Sequence, residues 1–125
     1  MMTMELNHYP GAIAQAAQRV NELDSEMMAV QQLLYRVECH ADTRSAFDID
    51  FKNDTQRKAQ RFEVLLTDKE YQTATNTLMR LTAEKANALA HLEYLRNQFS
   101  VAKLETRRAI AQQLTDFESR QLVGL

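Results

Sequence analysis

The chain has 125 residues, a net charge of −2, one cysteine, one proline and two glycines. That length supports one domain of ordinary size. A lone cysteine excludes an internal disulfide and a cysteine-based zinc site, and the slight acidic excess argues against a dedicated nucleic-acid binder.

The only helix breakers are Pro10, Gly11 and Gly124, so residues 12–123 contain neither proline nor glycine. Proline removes a backbone donor and clashes with the preceding turn, and glycine costs about 1 kcal/mol against alanine inside a helix. A sheet protein needs turn residues every 8–12 positions or so. Their absence predicts an all-α fold: an antiparallel helical hairpin, or coiled coil, with a short middle helix and one very long C-terminal helix.

Residues 1–9 read as a flexible tail. Pro10 suits the first turn of a helix, where its missing donor is not needed. A heptad series then runs through Ile13, Ala16, Val20, Leu23, Met27, Val30, Leu34, Val37 and Ala41, in steps of three and four. Apolar positions at that spacing form the seam of a coiled coil, with Met28 and Leu33 widening it. Helix one is predicted over 13–42, roughly 44 Å long.

After Ala41 the pattern stops. Residues 46–53 read as a connector in which Phe47, Ile49 and Phe51 alternate with Asp48 and Asp50. Two readings stand for it. The three apolar residues plug the end of the helical core, or the segment is a short strand pairing with a second chain. Asn53, Asp54 and Thr55 supply capping side chains for a short helix over 54–66 that buries Ala59, Phe62, Leu65 and Leu66. Thr67 and Glu70 match a capping box, with Leu66 and Tyr71 at the staple positions. A new helix, or a bend, is therefore placed at Thr67, against the alternative of a continuous helix.

The long helix is predicted over 68–121, roughly 80 Å. Its seam runs Tyr71, Ala74, Leu78, Leu81, Lys85, Ala88, Leu92, Leu95, Phe99, Ala102, Thr106 and Ala109. It then shifts to Ile110, Leu114 and Phe117, and this stutter locally unwinds a supercoil. Lys85 and Thr106 are its only polar members. A polar seam residue costs stability but fixes register, and Lys85 is expected to reach an acidic group on helix one. Charge supports that pairing. Residues 1–54 hold nine acidic and four basic side chains, whereas residues 55–125 hold eight acidic and eleven basic.

Helix one covers only part of so long a stripe, and exposed stripes of that size mark interfaces. A homo-oligomer, a dimer first of all, is expected to cover it. The seam positions proposed for that contact are Tyr71, Leu78, Leu81, Lys85, Leu92, Leu95 and Phe99.

Catalytic chemistry finds no footing. No phosphate-cradling, dinucleotide, nucleophile-elbow or zinc-protease motif occurs, and no cofactor or metal is expected. Glu5 and His8 have one half of a di-iron spacing, but such sites need two copies and further glutamates. Cys39 and His40 are adjacent on a helix and do not converge on one ion. His91 stands alone. Asp48, Asp50 and Asp54 lack the glycine of a calcium loop. Basic clusters at Arg57, Lys58 and Arg61, and at Arg107 and Arg108 beside Lys103, are the residues that would touch phosphates. The simpler reading of them is a solvated face that complements the acidic first helix.

No signal peptide pattern and no apolar run of membrane-spanning length is present. The chain reads as soluble and cytoplasmic, with no membrane association.

The run Asn53-Asp54-Thr55-Gln56-Arg57-Lys58, with Asp68-Lys69-Glu70-Tyr71 and Leu92-Glu93-Tyr94-Leu95-Arg96, resembles small, largely uncharacterised coiled-coil proteins of phages and other mobile elements. The likeness covers about residues 53–104. Some of those proteins are similar to accessory factors of DNA recombination, so the resemblance implies a nucleic-acid role as the alternative. The leading expectation is a non-enzymatic protein-interaction or assembly module acting through a coiled coil, with a protein partner of unknown identity.

Overall fold

The computed structural model describes residues 4–46 and 53–123. After a 3-10 turn at Leu6–His8 come α1 (Tyr9–Ala46), α2 (Asp54–Thr67) and α3 (Lys69–Val123). No strand occurs among the described residues. The alternating segment at residues 47–51 lies outside them. The fold is an all-α antiparallel hairpin in which α3 packs against α1. Contacts gather the chain into two units, Met1–Gln18 with Ala88–Leu125, and Arg19–Asn87.

The first unit corrects the expected tail. Leu6–His8 already coils, and α1 begins at Tyr9. Tyr9 is 3 % exposed and stacks on Phe99, ring centroids 5.4 Å apart. A side chain so buried ties down the backbone that carries it, and Pro10 falls in the first turn where it is tolerated. Ala16, Leu92 and Leu95 complete the buried set of this unit.

The second unit holds the rest of α1, all of α2 and the start of α3. Its buried centre is Val20, Leu23, Ala41, Leu65, Ala74 and Leu81, and Leu23 and Leu81 are each 1 % exposed. All but Leu65, which α2 supplies, are heptad positions on α1 and α3, which is why the seam predicts them. Helix one nevertheless extends to Ala46, past the last seam residue. Nothing in 42–46 breaks a helix: Thr43 donates from Oγ1 to the Cys39 carbonyl at 3.0 Å, and Asp42, Thr43 and Arg44 are exposed. Met28 is exposed as well and does not widen the packed stripe.

Asn53 caps α2 as expected, its Oδ1 accepting from the Gln56 amide at 2.9 Å. The face of α2 differs from expectation. Leu65 is buried, but Ala59, Phe62 and Leu66 are exposed. The inward row is instead Arg61, Val64, Leu65 and Asp68, and Arg61 donates from Nε to Asp42 on α1. That contact joins the inward row of α2 to α1, while Phe62 and Leu66 point outward.

The helix does break between α2 and α3, one residue later than the capping box places it. Asp68 has ψ 114°, outside the helical region. Its Oδ1 accepts from the Tyr71 amide at 2.9 Å, so Asp68 is the N-cap of α3. Thr67 belongs to α2 and donates back to the Glu63 and Val64 carbonyls. Asp68→Ala should therefore cost about 1 kcal/mol in urea unfolding. Thr67→Ala should cost less, and the reverse order would contradict this assignment.

Candidate interaction surface

Three ion pairs join elements of the second unit. Lys85 Nζ lies 2.6 Å from Asp24 Oδ1, so the polar seam residue does reach an acid on α1. Arg19 reaches Glu84 at 3.5 Å, and Arg61 holds Asp42. Lys85 keeps about a third of its side-chain exposure and Asp24 nearly half, so the pair acts more on register than on net stability. Lys85→Leu should raise the melting temperature in thermal unfolding. A fall in melting temperature would contradict this.

The same contacts decide where the basic clusters stand. Arg57 Nη1 sits 3.8 Å from Asp54 Oδ1, and Arg61 is engaged by Asp42. Lys58, Arg107 and Arg108 are exposed. Lys103 lies over the Phe99 ring, 4.5 Å from its centroid. Arg57, Lys58 and Arg61 belong to one unit, Arg107 and Arg108 to the other.

Glu5 and His8 approach to 3.9 Å on the exposed first turn. Cys39 is half-buried, and His40 and His91 are exposed. Among the described residues no three His, Cys, Asp or Glu side chains are grouped to hold a metal. Met28, Gln31, Gln32, Tyr35 and Arg36 line an open depression on α1. A hydrogen bond with the Cys39 side chain, one turn on, raises the Tyr35 phenol above its ordinary pKa. No helix among the described residues is long and apolar enough to cross a membrane.

The seven residues expected to form an oligomer seam are turned inward. Leu81, Leu92 and Leu95 are buried, and Tyr71, Leu78, Lys85 and Phe99 are partly covered. Their apolar surface is already used within the chain. The uncovered surface begins further along α3, in the first unit. Met4, Leu6 and Tyr9 flank a shallow cleft of about 320 Å³ against Val101, Ala102, Thr106 and Ala109, and among the described residues the cover from the N-terminal segment goes no further. Every residue from Lys103 to Val123 is exposed.

That exposed stretch is still patterned. Successive residues of an α-helix advance by about 100°. The face carrying Leu92 and Phe99 therefore continues through Lys103, Arg107, Ile110, Leu114, Phe117 and Gln121. Ile110, Leu114 and Phe117 are 52 %, 60 % and 58 % exposed. Thr106, the second polar seam residue, donates to the Ala102 carbonyl at 2.9 Å and is itself exposed. The chain thus presents an apolar helical stripe, rimmed by charge, with none of its own elements upon it among the described residues.

Searches find no protein family, no curated protein and no solved structure that matches this chain.

Proposed function

We propose that the chain is a protein-interaction or assembly module that works by completing a coiled coil on the terminal part of α3. One observation carries this reading. Ile110, Leu114 and Phe117 prolong the buried seam of the hairpin, yet every residue around them is open to water. Leaving three large apolar side chains more than half exposed forgoes about 1–2 kcal/mol each relative to full burial. A contiguous stripe of that kind marks a contact surface rather than the scattered apolar residues of any protein exterior.

Nucleic-acid binding through the arginines is supported less well. Arg57 and Arg61 are already opposite carboxylates, and Lys103 is drawn onto an aromatic ring. Phosphate contacts would have to displace those partners.

The test is capture of partners by the full chain and by Ile110→Glu/Leu114→Glu. Both positions are exposed, so the double variant should retain its helical circular dichroism. Loss of the captured partner with the fold intact supports the reading. Capture unchanged by the substitutions, or retention on DNA that falls steeply with salt and disappears with Arg107→Ala/Arg108→Ala, overturns it.

A further inference from the structure

We infer that the occupant of the exposed stripe is a second copy of this chain, lying antiparallel along α3 in a register centred on Gln112. This inference rests on the interaction reading above and goes further by naming the partner and its orientation.

The seam positions carry the register. Lys103, Arg107, Ile110, Leu114, Phe117 and Gln121 are spaced four, three, four, three and four apart. That spacing is the same read from either end, so a two-fold axis at the level of Gln112 maps every seam position onto another. Ile110 then packs on Leu114 of the second copy, and Leu114 on its Ile110. Arg107 meets Phe117, and Lys103 meets Gln121. A closed two-fold pair needs this self-complementarity, in which residue i contacts j and j contacts i.

Charge points the same way. Lys103, Arg107 and Arg108 outweigh Glu105 at one end of the stretch, whereas Asp116 and Glu118 outweigh Arg120 at the other. Arg107 and Glu118 are eleven residues apart, about three full turns, and so lie on the same edge of the stripe. In an antiparallel pair like edges meet, which brings Arg107 beside Glu118 of the second copy at both ends. Arg107 also arrives over an aromatic ring there, the contact Lys103 already makes with Phe99 inside the chain. A parallel pair in register sets Lys103 against Lys103 and Arg107 against Arg107, and leaves Glu118 more than two turns from either Arg107. Like charges in those places select against it.

Sedimentation equilibrium on the full chain tests this, with Arg107→Glu, Glu118→Arg and the two combined. All three leave exposed positions exposed, and circular dichroism checks that the helices persist. The wild-type mass should be twice 14.4 kDa at micromolar concentration. Each single change should raise the dissociation constant roughly tenfold or more by facing like charges, and the double change should restore it. A double variant no tighter than the singles overturns the register. A wild-type monomer overturns self-pairing altogether. The capture test then separates the two readings. A monomer that still holds a foreign protein through Ile110 and Leu114 refutes only the second copy, whereas a monomer that holds nothing refutes the interaction reading as well.

Discussion

Leu81→Ala should lower the stability of the chain by about 2–5 kcal/mol in urea unfolding, and Leu23→Ala by a similar amount. The two are the most deeply buried large side chains, each 1 % exposed, and both belong to the second unit. Removing three carbons from either site loses the transfer energy of those atoms and leaves a void that helices can close only in part. Met79 lies two residues from Leu81 but is exposed, so Met79→Ala should stay within about 0.5 kcal/mol. The slope of stability against urea should not change, because the surface exposed on unfolding is nearly the same. A loss below about 1 kcal/mol for Leu81→Ala would mean that the hairpin is not packed at its centre.

Tyr9→Ala should be nearly as costly, about 3 kcal/mol or more, although it sits close to the beginning of the sequence. The ring is 3 % exposed and stacked on Phe99. Offset aromatic pairs add about 0.5–1.5 kcal/mol beyond the area they bury. A double-mutant cycle with Phe99→Ala should recover a coupling of that size, since the two rings are in direct contact. Hydrogen exchange should show the loss first in the opening turns of α1, residues 9–16. Tyr9→Phe should change little, because packing rather than the hydroxyl holds the ring. Unaltered protection in Tyr9→Ala would return the segment to the status of a tail.

These two cases also show what a sequence discloses about such a fold. Helix was legible over the described span from Ile13 on because it holds no proline or glycine, and the burial of Leu23 and Leu81 was legible because a heptad seam names the inward face. Lys85 was legible as a charge inside an apolar row that had to find an acid, and Asp24 is that acid. Tyr9 was missed although it stands seven residues before Ala16, on the same seam. Pro10 and Gly11 looked like a boundary, but one sits harmlessly in a first turn and a Cβ at the other would meet nothing within 4 Å. The face of α2 was not legible. Phe62 and Leu66 compete with Val64 and Leu65 in so short a helix, and the pairing of Arg61 with Asp42, nineteen residues away, is not visible in local periodicity. Thr67 and Asp68 are both capping residues, and only the backbone tells which one leaves the helix. The candidate surface was half legible. Periodicity marks Ile110, Leu114 and Phe117 as seam residues, but it does not mark where cover by the described residues stops, near Ala109.

The sharpest single test is hydroxyl-radical footprinting of the wild-type chain over a range of its own concentration. Oxidation at Ile110, Leu114 and Phe117 should fall as concentration rises, while exposed Met79 reacts equally throughout. Oxidation of those three residues that stays constant relative to Met79 at every concentration would contradict the proposal that a second copy covers the stripe.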